Sequence, residues 1–117
     1  MKSVWDHITL IHDYINEHLQ EPLSINELAK KFNLSPSTMR KQFYRQYQIS
    51  LYKFIQKKRM ERAVELLKSG KYSIAEVGSE IGFYEPANFT HAFLKYYGFL
   101  PKNVFSPSKK DSGSNEV

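Results

Sequence analysis

The chain has no cysteine among its 117 residues. That single absence excludes disulfides, thiolate metal sites and cysteine nucleophiles, so any catalysis would have to rest on other groups. Long apolar runs are missing too. None exceeds three residues, against the roughly 20 that a membrane-spanning helix needs. Asp6 and His7 interrupt the only candidate for a secretory leader, so a cytoplasmic protein with no membrane partner is expected. The four histidines, His7, His12, His18 and His91, contain no pair at the i, i+4 spacing of a helical zinc site. The acids are scattered without a paired arrangement. No metal, no cofactor and no enzymatic activity are expected.

What is present is an ordinary apolar fraction of 41% with a net charge of +5. A chain of this size holds one compact domain, or two very small ones sharing a connection. A basic balance suggests nucleic acid or an anionic surface as partner. The positive charge is concentrated between residues 35 and 72, while residues 1–34 and 73–97 are each net negative.

Two stretches nearly repeat: Ser24 to Glu27 reads SINE and Ser73 to Glu76 reads SIAE. Ser three residues before Glu, ahead of an apolar helical pattern, predicts a capping box and a helix start at each. A shift of 49 pairs Ile25 with Ile74, Leu28 with Val77, Phe32 with Ile81 and Leu34 with Phe83. A shift of 50 then pairs Pro36 with Pro86, Met39 with Phe89, Phe43 with Phe93 and Tyr47 with Tyr97, so the second copy has one more residue in its turn. Within each copy the pattern is helix, short break, helix. Asn33-Leu34 and Gly82 supply the breaks, and Ser35-Pro36 restarts the first copy as N-cap and first helical residue. Two short helices around such a turn form a helix-turn-helix.

Between the copies, a helix is predicted from a cap at Ser50 to a terminating Gly70. Its apolar residues fall in two groups, Leu51, Phe54 and Ile55, then Met60, Ala63, Leu66 and Leu67, with the QKKR stretch exposed between them. Upstream, Val4, Ile8, Ile11, Tyr14, Ile15 and Leu19 predict a covering helix that Pro22 ends. The expected organisation is all-α, about seven helices. Residues 1–49 form a first helix-turn-helix subdomain, 50–70 a long connecting helix, 71–105 a second helix-turn-helix subdomain and 106–117 a disordered tail.

A connector of about 20 residues spans roughly 30 Å, close to the ~34 Å between successive major-groove faces of B-DNA. Two recognition helices so joined would read adjacent grooves of an asymmetric double-stranded DNA site. Burying Met39, Phe43 and Tyr47 leaves Ser37, Thr38, Arg40, Lys41, Tyr44 and Arg45 facing out. Arg40 and Lys41 suit guanine O6 and N7, and Ser37 and Thr38 suit base edges or a thymine methyl. Ser35, Tyr44 and Arg45 suit phosphate, as do Lys57 and Lys58 of the QKKR stretch. The second copy offers Ala87, Asn88, Thr90 and His91 to bases and Lys95 to phosphate, a weaker face with Glu85 near its start. A protein-interaction module of the same fold, touching DNA little, is the alternative that the acidic second copy motivates.

The stretches SINELAKKFNLSPSTMRKQF, RMERAVELLKSG and SIAEVGSEIGFYEPANFTHAFLKYYGFLP resemble the DNA-binding domain of the AraC/XylS family of bacterial transcription regulators. The most specific part is the order Phe89, Phe93, Gly98 and Pro101 after IAEVGSEIGF. The resemblance implies seven helices in two subdomains and binding to adjacent major grooves. It also implies activation of promoters through RNA polymerase, in the cytoplasm at the nucleoid. By position it puts base reading on Ser37, Arg40 and Lys41, and on Ala87, Asn88 and His91. Many members carry a preceding ligand-sensing or dimerising domain. The expectation is therefore a fragment of such a protein, monomeric alone and dimeric through that N-terminal domain, the alternative being a naturally short regulator controlled by its abundance. Three departures stand out. Gly78 replaces the usual Ala, which should loosen its helix by up to about 1 kcal/mol; Val104-Phe105 replaces Tyr-Arg; and His91 takes a place often held by Arg.

Overall fold

The computed structural model describes residues 4–104, with side chains from Asp6 onward; the expectation of a disordered tail at 106–117 lies outside the described residues. Six α-helices follow in order: α1 (Val4–Glu17), α2 (Ile25–Lys31), α3 (Pro36–Tyr47), α4 (Leu51–Ser69), α5 (Ile74–Glu80) and α6 (Pro86–Tyr97). A 3-10 helix, Pro101–Val104, closes the series. The described residues contain no strand. They fall into two compact units that divide between Lys58 and Arg59.

The first unit buries Ile8, Ile11 and Ile15 of α1 with Leu28 and Ala29 of α2, Met39 and Phe43 of α3, and Leu51, Phe54 and Ile55 of α4. The second buries Met60, Ala63, Leu66 and Leu67 of α4 with Val77 and Ile81, then Phe89 and Phe93 of α6. The two apolar groups of α4 thus belong to two cores. Helices of seven residues such as α2 and α5 are far too short to stand alone in water. Packing holds them, at about 1.5–3 kcal/mol for each large side chain removed from solvent.

The helix-turn-helix joints are built alike. Helix α2 ends with Asn33 at φ 59; the Leu34 N–H reaches the Ala29 carbonyl at 2.9 Å and the Asn33 N–H reaches Lys30 at 3.3 Å. Helix α5 ends with Gly82 at φ 95; Phe83 N–H reaches Gly78 at 2.8 Å and Gly82 N–H reaches Ser79 at 3.2 Å. Both are Schellman motifs. The likeness continues beyond the second helices. Gln48 (φ 60) and Gly98 (φ 86) both end their helix in the left-handed region, donating at 2.7 Å to Tyr44 and Leu94. Each is followed by the start of another helix, α4 or the 3-10 turn, so the shift of 50 extends through Phe54 and Val104.

Several expectations need correction. Helix α1 stops at Glu17, well short of Pro22, because the His18 ring takes the Tyr14 carbonyl at 2.8 Å that the next helical N–H would use. Leu19, beyond the helix, is buried all the same. Ser73 and Glu76 close a full capping box, whereas Ser24 only accepts from Glu27 N–H at 3.3 Å. The QKKR stretch is not uniformly exposed, since only Lys57 is open; Arg59 is half-buried, and that burial pulls its pKa down, with Tyr84 opposing. At the end of α6, Tyr97 packs on the core and Tyr96 is exposed. Gly78 is no mere weakness: a Cβ there would meet Phe89. Val104 sits in an ordered 3-10 turn and packs on the second core.

Candidate nucleic-acid interface

Helix α3 is capped by Ser35 and has Pro36 in its first turn, which fixes its start. With Met39 and Phe43 fully buried, the 3.6-residue period turns Ser37, Arg40, Lys41, Tyr44 and Arg45 to solvent, and all five are exposed. Among the described residues no side-chain hydrogen bond or ion pair holds Arg40, Lys41 or Arg45. Three cations on one helix face therefore keep their donors available. Two expected contacts are compromised locally. The Ser35 hydroxyl accepts from Thr38 N–H at 3.1 Å and donates to Thr38 Oγ1 at 2.9 Å, so its proton is already used within the cap. Thr38 is only half-exposed.

Helix α6 presents Ala87, Asn88, His91 and Lys95 as exposed and Thr90 as half-exposed. Its N-cap is Glu85, whose side chain makes no capping bond. By the repeat, Arg40 and Lys41 become Thr90 and His91, and Tyr44 becomes Leu94, which is 41% exposed. The two faces differ in kind: one is cationic, the other polar with an apolar element. On α4, Lys57 is exposed while the Lys58 ammonium lies 5.7 Å from the Phe54 ring centroid. Residues outside the sequence reading also appear here. Tyr52 and Lys53 are exposed in the first turn of α4, and their repeat partners Lys102 and Asn103 are exposed in the 3-10 turn. Carrying the shift of 50 past Tyr97 would have found all four.

Among the described residues, no group of acids, histidines or cysteines could hold a metal ion, and no helix is long and apolar enough to cross a membrane.

This arrangement defines a tandem helix-turn-helix protein, and comparison with known proteins agrees. A family model described as a helix-turn-helix domain matches residues 28–106. The Msm operon regulatory protein of Streptococcus mutans is 34% identical over 95 residues, covering 81% of this chain and 34% of its own length. The transcriptional activator AggR of Escherichia coli is 29% identical over 96 residues, covering 82% of this chain and 36% of its own. Among solved structures, the C-terminal domain of AraT, a response regulator from Geobacillus stearothermophilus, superposes with a TM-score of 0.80 at 28% identity, covering 84% of this chain and 82% of that one. The chain belongs to the AraC/XylS family of transcription regulators. It spans about a third of the length of these curated relatives.

Proposed function

We propose that this chain is the DNA-reading part of a bacterial transcription regulator, with α3 and α6 entering adjacent major grooves of an asymmetric promoter site. The observation that carries the reading is the outward face of α3, where Arg40, Lys41 and Arg45 are exposed and unpaired among the described residues. Arg40, Lys41 and Ser37 would read bases, with Asn88, Thr90, His91 and Ala87 adding a weaker second block. Tyr44, Arg45, Lys57, Lys58 and Lys95 would meet phosphate, joined by Tyr52, Lys53 and Lys102. A helix of 19 residues like α4 is about 28 Å long, near the separation of successive grooves. That AggR is a transcriptional activator supports activation here, and contact with RNA polymerase would follow. This chain alone would bind as a monomer at the nucleoid.

A second reading has one observation in its favour: Leu94, Tyr96 and Phe99 are exposed apolar groups in the second unit, as a face for another protein would be. Selection of bound duplexes from a random pool at about 150 mM salt, near the physiological range, tests both. Two short blocks about ten base pairs apart support the bipartite reader. Recovery of no motif from folded protein, or binding that is indifferent to salt, supports the protein-binding reading.

A further inference from the structure

The end of α1, the turn that follows it and α2 line a half-open cavity of about 400 Å³ in the first unit. That is within the roughly 300–1,000 Å³ of small-molecule sites. Its apolar lining comes from Tyr14, Pro22, Leu23 and Leu28. Leu23 is held there, buried, at φ 54, a conformation that leucine rarely adopts.

The charged groups that line the cavity, Glu21, Glu27, Lys30 and Lys31, balance in number but are not equally engaged. Glu21 lines it but already accepts the Tyr14 hydroxyl at 3.0 Å and stands 3.9 Å from His18 Nε2. The ammonium of exposed Lys30 has no hydrogen-bond or ion-pair partner among the described residues. The Lys31 ammonium rests 5.2 Å from the Tyr14 ring centroid. Glu21 keeps its charge in these contacts, and Lys30 and Lys31 share Glu27, three and four residues before them on α2, as their helical neighbour. The repeat shows that the fold does not demand them: the shift of 49 replaces Lys30 by Ser79, Lys31 by Glu80, Tyr14 by Ala63 and Leu23 by Tyr72. The second unit forms the same helix pair with neither cation.

We propose that this cavity binds a small organic anion, a carboxylate on an aromatic or short aliphatic body. The apolar part lies against Leu23, Leu28 and Pro22, and the carboxylate meets Lys30 and Lys31. Because the cavity is walled by α2, and α2 packs on α3, an occupant bears on the seating of the cationic helix. The site stands whether or not α3 reads DNA.

The test uses the ¹⁵N-labelled full chain without DNA, titrated with phenylacetate and octanoate and, in parallel, with uncharged phenylacetamide and octanol. The expected result is amide shifts confined to Tyr14, Glu21, Leu23, Ser24 and residues 28–31. Dissociation constants should fall below about 1 mM for a carboxylate and be at least about tenfold weaker for its neutral analogue. Lys30→Glu with Lys31→Glu should abolish the shifts; if that pair perturbs the rest of the spectrum, Lys30→Gln with Lys31→Gln replaces it and should weaken binding about tenfold. No shift by about 10 mM, equal binding of charged and neutral probes, or binding untouched by the lysine changes would each overturn the proposal.

Discussion

A Cβ placed on Gly78 would stand 3.0 Å from the Cβ of Phe89 and 3.1 Å from its Cγ. The atoms met are the root of the Phe89 side chain, which cannot swing away as a flexible tip would. In the first unit the same pair of positions holds Ala29 and Met39, both fully buried. The repeat keeps the sum and divides it differently: a small residue under a bulky ring, or a larger one under an unbranched, adaptable chain.

Gly78→Ala therefore sets two effects against each other. Helix propensity favours Ala by about 1 kcal/mol, and overpacking costs about 1–3 kcal/mol. Overpacking should win, with a net loss of about 1 kcal/mol in urea-induced unfolding followed by circular dichroism. Adding Phe89→Met restores the first unit's pairing, and in that background Gly78→Ala should become neutral or stabilising. An Ala that stabilises the otherwise unchanged chain would show that the Phe89 ring yields freely.

Much of this was legible in the sequence because local rules repeat. Ser73, Ser35-Pro36, Gly70 and Gly82 announce their helix ends by residue type, and the buried faces follow the helical period. What was not legible has physical causes. The stop of α1 at Glu17 comes from a side-chain bond of His18 to a backbone carbonyl, which no period reveals. Leu23 and Gln48 adopt positive φ although neither residue type signals it. The role of Gly78 depends on a contact between two helices and reads as a weak propensity from sequence alone. On α3, the exposure of Ser37, Arg40, Lys41, Tyr44 and Arg45 follows from the burial of Met39 and Phe43, while Thr38 is only half-exposed. The occupation of the Ser35 hydroxyl by Thr38 needed the geometry.

The two serine caps offer a comparison within one chain. Ser73 takes part in a reciprocal box, with Ser73 N–H donating to Glu76 Oε1 at 2.8 Å, while Ser24 accepts a single bond at 3.3 Å. Loss of an N-cap costs about 0.5–2 kcal/mol. Ser73→Ala should fall in the upper part of that range and Ser24→Ala in the lower, measured by chemical denaturation. Glu76→Gln should keep most of the box, since an amide oxygen still accepts. Equal costs for the two serines would show that the reciprocal arm adds nothing.

Tyr14 donates to Glu21 at 3.0 Å. That bond, then burial, then the Glu21 charge hold its hydroxyl protonated above the ordinary tyrosine value, which is about 10. A pKa raised on folding stabilises the fold fully below the unfolded value and ceases to do so as pH rises through the raised one. The contribution is thus complete at neutral pH and disappears above about pH 10. Glu21→Gln removes the charge and weakens the bond, so the Tyr14 titration, followed by the ¹³C shift of its Cζ, should move to lower pH. An unmoved titration would assign the shift to burial instead.

Arg40 separates base reading from phosphate holding. If its guanidinium donates to guanine O6 and N7, Arg40→Ala should cost about 1–3 kcal/mol at the selected site and flatten preference at one base pair. The slope of log K against log salt should change little. Lys95→Ala makes the opposite case: as a phosphate contact it should weaken all sequences alike and reduce the slope by about 0.9. Both residues are exposed, so neither change should disturb folding, and fluorescence anisotropy at several salt concentrations reads both parameters. Uniform loss from Arg40→Ala, with the slope reduced, would move Arg40 to the phosphate set. Base selection by the first unit would then rest on Lys41 and Ser37, and the selected motif should contract to the pairs those two shorter side chains can reach.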